Sequence, residues 1–252
     1  MSASRGRGIQ VVLSLWALAV VFLLFWLGGS IFDFLPPISA IADRFPEFFT
    51  SAETYSALLT TTRRVVVSLL LAVVLGFGVA YLIAHGGLAG RIASTYVNVL
   101  LIVPSTIAAL IALFVFRRAP ISVYVVVVLI TLPFVSVTLL EGIKSIDRKL
   151  LTMAAAYRFS RYQIVRHIML PHLVPFGVAA IRNENAHAWR VVVLAELFAV
   201  NTGMGWEFTR AWDRFLLIEV LLWLIAFMSI LLATEYGVLV PLERFTRRWR
   251  KA

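Results

Sequence analysis

Residues 119–140 read APISVYVVVVLITLPFVSVTLL, an apolar run without a single charge. A helix needs about 20 predominantly apolar residues to cross the hydrocarbon of a bilayer, so this stretch by itself predicts a membrane span. Uncharged runs of the same kind extend from Ile9 to Ile31, from Val65 to Ala84 and from Ile92 to Phe116. Residues 171–200 and 215–240 complete the pattern, although charges interrupt the first and Glu219 and Glu235 lie within the second. The reading is an all-α polytopic membrane protein of about six spans, forming one domain over residues 1–252.

Composition agrees. The chain is 61% hydrophobic with a mean hydropathy of +0.93, whereas soluble domains are about 45–50% apolar. The first apolar run is too long for a removable signal peptide and lacks a small-residue cleavage pattern, so it is expected to stay in the mature protein. The chain has no cysteine, which excludes disulfides, thiolate nucleophiles and cysteine metal sites.

A net charge of +10 invites comparison with nucleic-acid-binding proteins, but in a membrane protein the placement of Lys and Arg matters more than their total. Arg5 and Arg7, Arg91, the set Lys144, Arg148, Lys149, Arg158, Arg161 and Arg166, and the tail Arg244, Arg247, Arg248, Arg250 and Lys251 all fall on one side of the predicted spans. Arg44, Arg63, Arg64, Arg117, Arg118, Arg210 and Arg214 fall on the other. The excess puts both termini in the cytoplasm of a bacterial inner membrane. The charge is therefore topological, with attraction of the basic tail to membrane lipid as a consequence, and calls for no nucleic acid.

Between the first two spans, Asp33 to Thr62 contains Pro36, Pro37 and Pro46 and reads as an external segment with a short interfacial helix. Gly76 and Gly78 in the second span, and Pro104 and Ser105 in the third, suit close helix approach or a kink. The longest segment between spans, residues 141–172, has a helical pattern of its own, and Ser160 is placed to cap a second short helix within it.

Catalytic signatures are missing. Nothing matches G-x-x-x-x-G-K-[ST], so no P-loop for ATP is expected in this chain, and neither a His-Glu-x-x-His pair nor a nucleophile elbow occurs. His85, His167, His172 and His187 are not spaced as a metal set. No enzyme active site is read in the chain, and any energy from ATP would have to be supplied from elsewhere.

Residues 147–171 read DRKLLTMAAAYRFSRYQIVRHIMLP. The stretch resembles the cytoplasmic loop of binding-protein-dependent ABC importer permeases, with Asp147, Leu150, Leu151, Ala154, Ser160, Arg161, Gln163, Ile164, Arg166, Leu170 and Pro171 matching in one ungapped register. The resemblance extends through TLPFVSVTLLEGIKSID, which ends at Asp147, and through Ala188, Trp189, Val192, Val193, Ala195 and Glu196, as in the sulfonate, taurine and nitrate branch. It departs at Thr152, where an acidic residue is usual, at Arg158, where glycine is usual, and at Asn183, Glu184, Asn185 and His187, where small residues are usual. The resemblance implies the type I ABC importer permease fold, with a coupling helix between spans four and five that docks on an ATPase. Thr152, Met153, Ala154, Arg158, Ser160, Arg161, Arg166, Leu170 and Pro171 would form that coupling element. The implied partners are ABC ATPase subunits, which would bind ATP and Mg²⁺ since this chain needs no cofactor, a second permease copy or paralogue, and an extracytoplasmic substrate-binding protein. Arg158 reads either as a cation for an acidic groove on the ATPase or as a positive-inside arginine at the lipid surface.

The fifth predicted span carries most of the intramembrane charge, and a charge at a helix centre costs about 2.5–3.5 kcal/mol on insertion scales unless it is partnered or hydrated. At 100 degrees per residue, Arg182, Trp189 and Glu196 share a stripe about 21 Å long with Asn185 beside it, while Glu184 and His187 fall on the opposite side within reach of each other. Two readings stand: Arg182, Asn185, Trp189 and Glu196 line a translocation path, or the charges pair between helices. Two other classes compete with the importer. A proton-coupled secondary transporter would use Glu184, His187 or Glu196, and a membrane scaffold would use the basic tail, but neither accounts for the patterned segment 147–171.

Overall fold

The computed structural model describes residues 36–116 and 119–248; the first predicted span, residues 9–31, lies outside them. Among the described residues the chain is helical with no strand. Eleven α-helical segments follow in order: α1 (Ile38–Thr50), α2 (Ala52–His85), α3 (Gly87–Ile102), α4 (Ser105–Phe116), α5 (Pro120–Lys144), α6 (Arg148–Ala156), α7 (Arg161–Ile164), α8 (Leu170–Ala199), α9 (Met204–Asp213), α10 (Leu217–Leu232) and α11 (Val240–Arg248). One π-helical segment, Val165–Met169, joins α7 to α8, and another, Ala233–Leu239, joins α10 to α11. Four helices are long and apolar enough to cross a membrane, namely α2, α5, α7 continued through α8, and α10 continued into α11. The pair α3–α4 makes a fifth if counted as one span.

The pair departs from expectation. The uncharged run 92–116 predicts a single span, yet α3 and α4 meet at a bend of 106°. Val103 takes an extended backbone before Pro104, as a residue preceding proline tends to, because the proline ring disfavours helical geometry there. The segment 141–172 is likewise less of a loop than its boundaries imply. Its first residues continue α5, and its last run unbroken into α8 through the π segment. The expected interfacial helix before the second span is α1, and α2 begins well ahead of Val65.

The bundle core runs as three stacked clusters. At one end, Val65 and Leu69 of α2, Leu113 of α4, Val126 and Val127 of α5, Trp189 and Val192 of α8 and Trp223 of α10 close together. In the middle Ala72, Ala80, Val135, Leu139 and Ala180 meet, and at the far end Ile146, Met169 and Leu173. α2, α5 and α8 form the centre. Small residues set their spacing, since a Cβ at Gly76 would lie 2.9 Å from Val135 Cγ1 and one at Gly142 would lie 2.7 Å from the Phe176 ring. Large aliphatic side chains of α2, α3, α4 and α10 point outward, as they do where hydrocarbon is the solvent.

The corner between α2 and α3 turns on glycine. Gly86 and Gly87 have φ of +77° and +71°, a region costly to residues with a Cβ. One turn on, a Cβ at Gly90 would stand 2.6 Å from the Leu82 carbonyl oxygen. Gly78, by contrast, has open space around its missing Cβ. Gly90→Ala should therefore cost about 1–3 kcal/mol as overpacking against backbone, whereas Gly78→Ala should be neutral or mildly stabilising through helix propensity. Thermal unfolding of the detergent-solubilised protein checks both, with a lowered Tm expected for Gly90→Ala alone.

Candidate functional site

Two regions of this bundle hold polar chemistry: the short helices between α5 and α8 at one end, and the charged residues along α8.

At the first, the Asp147 side chain accepts the Lys149 N–H at 2.8 Å and starts α6. Only Ala154 of α6 is buried, against the end of the bundle. Thr152 and Met153 lie on the outside, with Leu150, Leu151, Tyr157 and Phe159. α6 ends at Arg158, which has φ +54°, while the Phe159 N–H returns to the Ala154 carbonyl at 2.9 Å. That left-handed geometry is why glycine suits the position, and arginine there carries a backbone cost of about 1–2 kcal/mol. α7 begins with a reciprocal capping box. Ser160 accepts the Gln163 N–H at 3.3 Å, and the Gln163 side chain accepts the Ser160 N–H at 2.7 Å. Arg161 reaches His85 at the end of α2, 3.5 Å away, and Arg166 donates to the Tyr162 hydroxyl at 2.7 Å. Leu170 and Pro171 open α8 on its exposed side. Of the predicted coupling residues, Thr152, Met153 and Ala154 thus lie on α6, Arg158 and Ser160 in the link, Arg161 on α7, Arg166 on the π segment, and Leu170 and Pro171 at the start of α8, all but Ala154 exposed.

Along α8 the outcome is different, for Arg182, Asn185, Trp189 and Glu196 do not converge on a common channel. Glu196 is fully enclosed. Its Oε1 accepts Arg64 Nη1 at 2.6 Å, its Oε2 accepts the Gly205 N–H at 2.9 Å, and the Thr61 hydroxyl lies 3.0 and 2.9 Å from the two oxygens. Thr61 in turn accepts the Met204 N–H at 2.8 Å. The carboxylate therefore sits at the N-terminus of α9, where backbone N–H groups and the helix dipole favour negative charge. Arg64 also donates to the Thr202 carbonyl and hydroxyl, both at 2.8 Å. Gly203, at φ +100°, leaves room for the carboxylate, because a Cβ there would run into the Glu196 oxygens.

The other residues have neighbours of their own within the chain. Arg182 pairs with Glu235 at 2.8 Å and with Glu243, tying α8 to the π segment and to α11. Asn185 faces Thr234 at 3.5 Å. Trp189 is wholly buried, edge-on to Phe227 at 6.3 Å, and its indole N–H has no hydrogen-bond partner among the described residues. Glu184 and His187 meet at 2.9 Å, one turn apart, with the imidazole edge-on to Phe134. Pairing between helices thus describes Arg182 and Glu196. Helical periodicity misses the partners Arg64, Glu235 and Glu243, because they lie 132, 53 and 61 positions away in the chain. Among the described residues no group of three or more His, Asp or Glu is placed to hold a metal.

Near the α9 end a groove of about 650 Å³ opens between α1 and α9, lined in part by Arg44, Glu53, Glu207, Arg210, Phe215 and Trp223. Arg210 bridges Glu53 at 3.0 Å and Glu207 at 2.7 Å. Burial pushes the Glu207 carboxyl above its ordinary 4.5, outweighing the attraction of Arg210.

This architecture, several apolar helices long enough to cross a membrane with two short helices at one end, is that of a multi-pass membrane protein. The sequence profile of the binding-protein-dependent transport system inner membrane component family matches residues 72–242, and the chain belongs to that family. It is a multi-pass inner-membrane permease of an ABC importer, not an enzyme, and such a permease works with an ATPase and a substrate-binding protein. The taurine transport system permease protein TauC of Escherichia coli (strain K12) is 25% identical over 247 residues, covering 94% of this chain and 90% of that protein. The nitrate import permease protein NrtB of Synechococcus elongatus is 26% identical over 193 residues, covering 73% of this chain and 68% of that one. Among solved structures, the inward-facing MetNI methionine ABC transporter matches with a TM-score of 0.63 at 18% identity, over 79% of this chain and 99% of the other. An amino acid ABC transporter solved with histidines matches with a TM-score of 0.61 at 17% identity, over 84% and 99%. These two likenesses establish the fold.

The Arg64–Glu196 pair generates a stability prediction. Removing one member of a buried ion pair leaves the other uncompensated, at a cost of about 3–5 kcal/mol. Glu196→Gln should unfold at markedly lower temperature than wild type, and Arg64→Met combined with Glu196→Leu should recover part of the loss. Equal instability of the single and double variants would contradict this. Glu207 gives a pH prediction. A carboxyl whose folded pKa is raised favours the folded state below its ordinary pKa, and that contribution is lost as pH rises through the raised value. The Tm of Glu207→Gln should therefore fall less than that of wild type as pH is raised from the ordinary glutamate range to neutrality.

Proposed function

We propose that this chain, with a second permease subunit, forms the translocation path of an importer for a small oxyanion-bearing solute such as a sulfonate, taurine or nitrate. ATPase subunits dock on α6 and α7 in this reading, and a binding protein docks at the α9 end. One observation carries it: α6 buries a single residue in its own bundle and presents an apolar face, Leu150, Met153 and Tyr157, beside the cations Arg148, Lys149 and Arg158. A short amphipathic helix held off the bundle by capped ends is a rigid element suited to a groove in another protein.

The mechanism is alternating access. Closure of the ATPases on nucleotide draws the α6–α7 elements of the two permeases together. The continuous helix from α7 through the π segment into α8 carries that displacement into the centre of the bundle. Hydrolysis resets it. ATP and Mg²⁺ belong to the partner ATPase. The α6 end is cytoplasmic, as are both termini, because the excess of Lys and Arg falls on that side. The groove between α1 and α9, with its exposed Phe215, then faces the binding protein. The substrate class is supported by the relatives, whose names specify taurine and nitrate.

The docking reading is tested by co-purification of the cognate ATPase with wild type, Met153→Asp, Tyr157→Asp and the pair Arg161→Glu, Arg166→Glu. Burying an uncompensated carboxylate in an apolar contact should weaken association by about tenfold or more. The Tm of the permease itself should stay unchanged, because these side chains lie outside its core. Unaltered association of all three variants would place the ATPase elsewhere.

A further inference from the structure

Of the ionisable residues along α8 from Arg182 onward, four are partnered within the chain: Arg182 by Glu235 and Glu243, Glu184 and His187 by each other, and Glu196 by Arg64. Arg190 is the exception. It is exposed, and no hydrogen bond, ion pair or ring contact engages it among the described residues. It lies well inside the span, nine residues before Ala199, or about 14 Å along the axis.

The face that bears it is unlike the other outward faces of the bundle. α2 points Val66, Val67, Leu70, Leu71, Val74 and Leu75 outward, and α10 points Leu224, Met228 and Leu232 outward. On α8, Ala179, Asn183, Ala186 and Arg190 are partly or fully exposed and follow one another at steps of four, three and four, which places them within about 60 degrees of one another. Hydrocarbon explains the aliphatic faces but not this one, since an unpaired guanidinium at depth costs about 2.5–3.5 kcal/mol or more and neither Asn183 nor alanine offsets it. A water-filled path bounded by small side chains removes that cost and leaves the five guanidinium donors free.

We infer that the Ala179–Asn183–Ala186–Arg190 face of α8 lines the aqueous translocation path, and that Arg190 contacts the oxyanion group of the solute there. The inference rests on the permease reading above and deepens it by assigning a substrate-contacting residue. A guanidinium matches such a group because its planar fork donates two parallel hydrogen bonds to two oxygens, which an ammonium cannot do. A single such contact in open water is weak, as suits a path that must release its cargo.

The absence of native cysteine makes the test direct. Arg190→Cys and, as a lipid-facing control, Val74→Cys are assembled with the cognate ATPase and binding protein in proteoliposomes. They are treated with methanethiosulfonates, one carrying an aminoethyl cation and one a sulfonatoethyl anion. Arg190→Cys should be modified far faster than Val74→Cys. Uptake of taurine and of nitrate, the two probes, should fall for unmodified Arg190→Cys by about tenfold or more, through loss of the charge-assisted contact to the solute. The aminoethyl adduct should restore part of the uptake and the sulfonatoethyl adduct none, a dependence on charge that a packing role would not produce. Arg190→Lys should transport at an intermediate rate, and it serves if the cysteine variant does not assemble. Modification of Arg190→Cys no faster than of Val74→Cys overturns the path assignment. Rapid modification with unchanged uptake, or equal rescue by both adducts, overturns the substrate contact while leaving the permease reading intact. Wild type that transports neither probe overturns the proposed substrate class and this contact with it.

Discussion

Hydrocarbon offers no hydrogen bonds, so each charge that this chain carries into a span must find its counterpart inside the bundle or meet water. The arrangement of α8 follows from that constraint. Glu196 is directed at Arg64 of α2 and Arg182 at Glu235 of the second π segment and Glu243 of α11, while Glu184 and His187 pair within α8, and the pairs between helices fix the rotation and depth of the central helix more sharply than the apolar contacts around them. Apolar side chains in a membrane have no strong preference between one another and lipid, so packing by itself specifies orientation weakly.

Glu196 shows how much one carboxylate organises. It joins α8 to α2 through Arg64 and Thr61, and it receives the first turn of α9 through the Gly205 N–H. Gly203 has to be glycine on two grounds, its backbone angle and the space the carboxylate occupies. The turn between α8 and α9 is thereby formed around a buried anion, which holds the α9 end of the bundle rigid while the opposite end presents α6 and α7. The two π segments lie where α7 meets α8 and where α10 meets α11. Each inserts an irregular turn into a long apolar helix, a feature associated with functional positions in helices.

Much of the fold is legible in the amino-acid sequence. Long apolar runs announce the spans, and the segment 147–171 announces two short helices, because capping residues such as Asp147 and Ser160 act on the backbone within a few positions. The bend between α3 and α4 is less visible. Pro104 permits a kink, but its size depends on what the following helix packs against, and Ala109 and Leu113 of α4 are drawn into the cluster around Trp189.

The candidate site divides along the same line. The existence of the spans and of the two short helices within 147–171 follows from the chain's residues without its packing, because hydrophobicity, charge and capping are local properties, and the class of protein follows from the family resemblance those residues carry. Helical periodicity also places Glu184 beside His187, since residues three apart on a helix are neighbours by geometry. Tertiary packing is needed to settle which charges on α8 are satisfied and which are left over. Arg182 and Glu196 have periodicity suited to a path, yet their counterparts come from distant positions, and Arg190, off that stripe, is the residue left facing outward. The period of a helix ranks its faces relative to one another, but only the packing of α2, α5 and α10 around it determines which face is covered.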